Sequence, residues 1–173
     1  MEEHPEIDVC GSWMEIFGNR TGIIKPPVEH KQIAATMLLY NPIGHPTVIM
    51  RKSVCKNKKC LYSIDYLYAE DYKLWTDLAI EGFRFTNIQE VLLLSRSSNN
   101  QVTNTRGVEM METSRKIQVE YAQQVIEQMV EKDEKFSLFF DSLIDLSNED
   151  VIEVKKLLEI LYSIYIGYRY GKK

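Results

Sequence analysis

Cysteine, histidine and glycine are all scarce in this chain of 173 residues, and each shortage removes a class of protein. The three cysteines (Cys10, Cys55 and Cys60) are odd in number and show no paired spacing. That argues against a disulfide framework and a thiolate metal cage, so reduced thiols are expected. The three histidines (His4, His30 and His45) are too scattered to promise a metal site. The glycines form no phosphate-cradling loop. An excess of positive charge is also missing. The formal net charge is -4, without the basic footprint of a general nucleic-acid binder, so no nucleic-acid partner is expected. No run of about 18 apolar residues occurs that would span a bilayer. The opening MEEHPEIDV lacks the basic and then apolar regions of a secretion signal, so a cytoplasmic location is expected.

What remains is an ordinary globular composition, 45% hydrophobic and 27% charged, at a length that suits one domain. Residues 6–17 mix β-branched and aromatic side chains with partial alternation and read as a strand. The cluster Gly18-Asn19-Arg20-Thr21-Gly22 is a turn, and Ile23-Ile24-Lys25 a short return strand. From Glu29 to Tyr40 the spacing of Ile33, Ala34, Met37 and Leu38 predicts a short amphipathic helix. Asn41-Pro42 ends it, because the residue before proline disfavours helical geometry. Thr47-Val48-Ile49-Met50 reads as a buried strand, and Lys56-Asn57-Lys58-Lys59 as a solvated basic loop.

A helix is expected over about 69–81 with Gly82 just past its end. Strand-like stretches follow over 83–96, and Ser97–Asn100 reads as a loop. A long helix over 106–131 places Ile117, Tyr121, Val125 and Met129 on one face. Ser147 and Asp150 suit the start of a further helix, whose apolar positions from Val151 to Tyr168 step by threes and fours.

The helix at 69–81 opens with Glu70-Asp71-Tyr72-Lys73-Leu74-Trp75. Acidic residues in a first turn are ordinary, since the helix dipole favours negative charge there. The surrounding stretches add more. PEIDVCGSW, NPIGHPTVIMRKS and AEDYKLWTDLAIEGFRFTNIQEVLLLSR occur in this order. Together they resemble the C-terminal half of bacterial family 2 glycosyltransferases, the inverting enzymes of cell-surface polysaccharide assembly. The likeness covers residues 5 to about 105, and the pairing of AEDYxLW with NIxEVLL is its most specific part.

The resemblance implies an α/β chain with the C-terminal portion of a GT-A-like nucleotide-sugar transferase fold. Residues 1–105 would be the acceptor-side half, a small mixed sheet with flanking helices, and 106–173 a C-terminal helical appendage. By position Asp71 would be the base that takes the acceptor hydroxyl's proton, with Glu70 orienting it or touching acceptor hydroxyls. His45 would lie near a bound sugar, or else be a hydrogen-bonded structural residue. Trp75 would stack on a sugar or sit in the core. Arg96 would counter diphosphate charge or form a surface ion pair. The family pattern ends in a histidine and carries a tyrosine before it; here these are Ser98 and Ser95. Serine replaces imidazole poorly at a metal, so no metal ligand is assigned. A divalent ion (manganese or magnesium) is expected for the intact enzyme, held mostly by a preceding half that members of the family carry and this chain lacks.

The expected partners are therefore a nucleotide-sugar donor and a saccharide or lipid-linked acceptor, with the isolated chain inactive. A different reading is a non-catalytic binding or oligomerisation module. The ending YSIYIGYRYGKK combines tyrosines with Arg169, Lys172 and Lys173, which suits peripheral contact with the inner face of a membrane, or docks the last helix on the domain. A half sheet would expose strand edges, which predicts a homo-oligomer.

Overall fold

The computed structural model describes residues 1–56, 61–98 and 105–131. The basic stretch beyond Lys56, the end of the loop at Asn99–Asn100, the helix capped by Ser147 and the tyrosine-rich ending lie outside the described residues.

A four-stranded mixed sheet is built around β1 (Val9–Gly18). Its first residues, Val9, Cys10, Gly11 and Ser12, are all buried, so this end is covered on both faces and reads as a continuous run instead of alternating. Strand β2 (Gly22–Ile24) returns antiparallel beside it with Met14 opposite Ile24. Strand β3 (Ile49–Met50) pairs antiparallel at the other end, Val9 opposite Met50. Strand β4 (Phe85–Ser97) runs parallel along the whole of β1, from Val9–Phe85 to Gly18–Ser97, with a bulge around Trp13. Parallel neighbours need a long crossover. Here it carries α1 (His30–Thr36) and α2 (Glu70–Ile80).

The expected strand over Thr47–Met50 is corrected. His45–Thr47 is a 3₁₀ turn, only Ile49 and Met50 are strand, and Ile49 is 66% exposed. Pro46 at the second turn position favours this, as does the Thr47 hydroxyl donating to Gly44 O at 2.7 Å. Helix α1 is also shorter than its spacing suggests. Leu38 and Leu39 bond back to Ala35 and Thr36, so the helix tightens before Asn41-Pro42.

Helix α2 ends as the glycine predicts. Gly82 has φ +84°, its N–H donates to Ala79 O at 3.1 Å, and Phe83 N–H donates to Leu78 O at 3.0 Å, a Schellman closure. Tyr72, Leu74, Trp75 and Leu78 of α2 are buried. So are Ile117, Tyr121, Ala122, Val125 and Ile126 of α3 (Gly107–Glu131), which join the same core as Val9, Ile33, Met37 and Phe85. The three-four spacing on α3 thus faces α2.

Candidate active site around Asp71

Close packing of β1 on the Gly44–Thr47 turn comes first, because it places His45. Gly11 and Gly44 allow it. A Cβ on Gly11 would lie 2.3 Å from Asn87 Oδ1 and 3.2 Å from Thr47 Oγ1, and one on Gly44 would meet Met14 Cε at 2.2 Å. The Ser12 N–H then donates to Thr47 Oγ1 at 3.0 Å. His45 projects from this turn. Its Nε2 and the Tyr62 hydroxyl are 2.8 Å apart, and its ring is tilted against Trp75 with centroids 6.2 Å apart.

Glu70 and Asp71 form the first turn of α2, as expected. Asp71 Oδ1 accepts the Tyr72 N–H at 2.8 Å, which satisfies one of the open donors at a helix start. Oδ2 accepts from Asn41 Nδ2 at 3.0 Å. A carboxylate placed only for the helix dipole would be held below its ordinary range. Burial does the opposite here. It pushes the Asp71 carboxyl up, against the lowering effects of the Tyr72 N–H, the His45 charge and the Asn41 amide. Burial and then the Asp71 charge also push the Tyr62 phenol up. Glu70 is half-buried at the helix start.

Asp71 lines a cleft of about 690 Å³ between the 39–41 segment, the start of α2 and the first turns of α3. Tyr40 and Tyr68 contribute rings, Met110 and Met111 an apolar wall, and Asn41, Ser114 and Gln118 polar groups. Tyr68 has φ +68°, a left-handed backbone that costs roughly 1–3 kcal/mol in a residue of its size. That strain sits two residues before the helix.

The other residues singled out in the sequence divide. Asp71 and His45 are brought together. Trp75 is fully buried and supports the His45 ring from below, so the core reading replaces sugar stacking. Arg96 is opposite Phe17, its guanidinium 5.3 Å from that ring. Phe17 is five residues beyond Ser12 on β1, roughly 16 Å along the strand from the Thr47 contact, and Arg96 is not among the residues that line the Asp71 cleft. Asn41, Tyr62 and Gln118 were not foreseen. Asn41-Pro42 signals a fixed turn, which is the one clue to Asn41; Tyr62 and Gln118 carry none.

Among the described residues no group of three or more His, Cys, Asp or Glu side chains could hold a metal ion. The two Asp71 oxygens already face N–H donors, which would oppose a cation there. The residues described do not fit a divalent ion. No helix among the described residues is long and apolar enough to cross a membrane.

The chain is similar to two proteins of Haemophilus influenzae, each called an uncharacterized glycosyltransferase. One is 32% identical over 181 aligned positions, covering 96% of this chain and 54% of that protein. The other is 29% identical over 112 positions, covering 62% of this chain and 40% of that protein. The chain thus spans about half the length of the curated relatives it matches. No protein-family profile matches it, and no solved structure does.

Proposed function

We propose that this chain is the acceptor-side part of an inverting, GT-A-type glycosyltransferase, and that Asp71 is its general base. The observation that carries the proposal is a single one: a half-buried carboxylate, raised by desolvation, at the edge of a cleft rimmed by tyrosines. Aromatic rings suit the apolar faces of a sugar, and a carboxylate raised toward neutrality suits a base. The likeness to two proteins called glycosyltransferases supports the reaction class.

In this reading the acceptor, a saccharide or lipid-linked sugar of cell-surface polysaccharide synthesis, lies in the cleft. Its hydroxyl oxygen attacks the donor's anomeric carbon. The bond to the nucleoside diphosphate breaks on the opposite face, and the hydroxyl proton passes to Asp71. Glu70 borders the same helix start and His45 orders the surrounding charge. In the same reading the donor and a divalent ion are held by residues outside the described ones, in the portion of the relatives beyond the match. Self-association belongs to the same reading, since Ile88, Leu92 and Leu94 leave β4 an exposed apolar face. The site of action is cytoplasmic, peripheral to the inner membrane face.

The test joins this chain to the portion of its 32%-identical relative outside the match and follows sugar transfer from nucleotide sugars. Asp71→Asn is expected to lower turnover by about 10²–10⁴ with donor binding retained. Full turnover by Asp71→Asn sinks the assignment.

A further inference from the structure

Asn41 stands outside the acidic motif, yet its amide reaches the Asp71 carboxylate. Its orientation is determined from both ends. Oδ1 accepts the Ile43 N–H at 3.1 Å, and a backbone N–H can only donate. The amide nitrogen is therefore left for Oδ2 of Asp71, and an ionised carboxylate can only accept. Pro42 restricts the Asn41 backbone to the extended region, so the turn is rigid where it meets the site.

The segment leading to Asn41 is pinned by side chains from two helices. The Tyr72 hydroxyl of α2 donates to Met37 O at 2.5 Å. From α3, the Gln118 amide donates to Leu39 O and the Tyr121 hydroxyl donates to Ala34 O at 3.1 Å. Residues 34–41 thus hang from α2 and α3, and their last member holds Asp71.

We propose that Asn41 is a positioning residue for Asp71: it fixes Oδ2 so that the carboxylate stays a proton acceptor at the cleft, and α3 bears on the site through it. The proposal rests on the reading of Asp71 as the base. Its chemistry is simple. A donor hydrogen bond favours the charged form of an acid, and here it opposes the burial that favours the neutral form. Without Asn41 a larger share of the base would be protonated, and Oδ2 would lose its partner while Oδ1 kept the Tyr72 N–H.

Other groups that bear on Asp71 are accounted for. From the 45–47 turn His45 lowers its proton affinity, and Tyr62 is bonded to His45. On α2, Glu70 precedes Asp71. On the α3 side the cleft presents the neutral Ser114 and Gln118. Lys116 and Glu120 of α3 are engaged elsewhere, with Tyr66 in the turn before α2 and with Lys73 on α2.

The test is a carbon-13 NMR titration of the Asp71 carboxyl in the whole chain, with and without Asn41→Ser. Serine keeps an oxygen for the Ile43 N–H but is too short to reach Asp71. The Asp71 midpoint is expected to move upward by about half a pH unit or more. Gln118→Ala is expected to move it in the same direction by less. An unmoved midpoint in a folded Asn41→Ser chain overturns the proposal, and an unmoved midpoint in Gln118→Ala overturns the part played by α3. Should Asn41→Ser not fold, the unaltered chain still decides, because the Asn41 side-chain amide protons must shift with the Asp71 midpoint; flat signals overturn the proposal. No donor is needed, so this result is independent of whether the chain serves sugar transfer.

Discussion

Gly11 and Asn87 are opposite one another on β1 and β4, so close that a methyl group on Gly11 would stand 2.3 Å from the Asn87 side-chain oxygen. Asn87 cannot easily retreat, because it is 1% exposed and its amide donates to Pro27 O at 2.7 Å. Gly11→Ala is therefore expected to destabilise the chain by about 1–3 kcal/mol in chemical denaturation. Combined with Asn87→Ala, which vacates the contested space, it should cost less than the sum of the single changes. Strict additivity would mean that the two residues do not compete.

Asp71 is held at a thermodynamic disadvantage. Its folded proton affinity is raised, so its stability contribution is full below the unfolded carboxylate range and is lost as pH rises through the folded value. At neutral pH the partly desolvated charge costs stability. Asp71→Asn should then unfold later than the parent at pH 7, while its advantage vanishes in acid. Equal or lower stability of the variant at pH 7 contradicts this.

His30 carries the opposite sign. Its ring stacks on Phe85, and Nδ1 accepts the Phe85 N–H at 3.3 Å, which requires an unprotonated nitrogen. Burial, then the Arg84 charge, lowers its proton affinity. Stability from this residue is present above the unfolded histidine value of about 6.5 and is lost as pH falls below it. His30→Phe should flatten the melting temperature between about pH 6.5 and pH 5. A slope that persists unchanged in that window assigns the effect to other groups.

Tyr66 and Glu120 clasp the 3₁₀ turn before α2 to α3. The phenol donates to Glu120 Oε2 at 2.7 Å, and Lys116 is 4.2 Å from its ring centroid. Desolvation, with the bond to Glu120, pushes the Tyr66 phenol well above its ordinary range. Tyr66→Phe should cost about 1 kcal/mol and leave one fewer tyrosine titrating above the ordinary phenol range in an ultraviolet titration.

The exposed face of β4 predicts association. Leu92 and Leu94 are 59% and 67% exposed, and among the described strands β4 pairs with β1 alone. Light scattering at increasing concentration should report dimers or larger species, reduced by Leu92→Lys and Leu94→Lys. A clean monomer at high concentration contradicts it.

Local chemistry explains which features could be read from the sequence. Gly82 announced the end of α2 because a left-handed closure needs a residue without a side chain. The spacing of Ile117, Tyr121 and Val125 announced the buried face of α3. The mixed sheet with flanking helices followed from such patterns and from the family likeness. Thr47 and Val48 read as the start of a strand because β-branched residues in an apolar run resemble one, whereas Pro46 and the Thr47 hydroxyl close a 3₁₀ turn over His45–Thr47. Asn41 was legible only as a helix stop. Its contact with Asp71 spans 30 residues of chain and depends on where Tyr72 and Gln118 hold the intervening segment, which no local pattern records.

The central claim is that the cleft beside Asp71 receives a sugar. Its most direct measurement is backbone-amide NMR of the whole chain titrated with a panel of hexoses, N-acetylhexosamines and their methyl glycosides. The account predicts saturable shifts gathered at Tyr40, Asn41, Tyr68 and Asp71 and the first turns of α3. Shifts that gather elsewhere, or none across the panel, would contradict it.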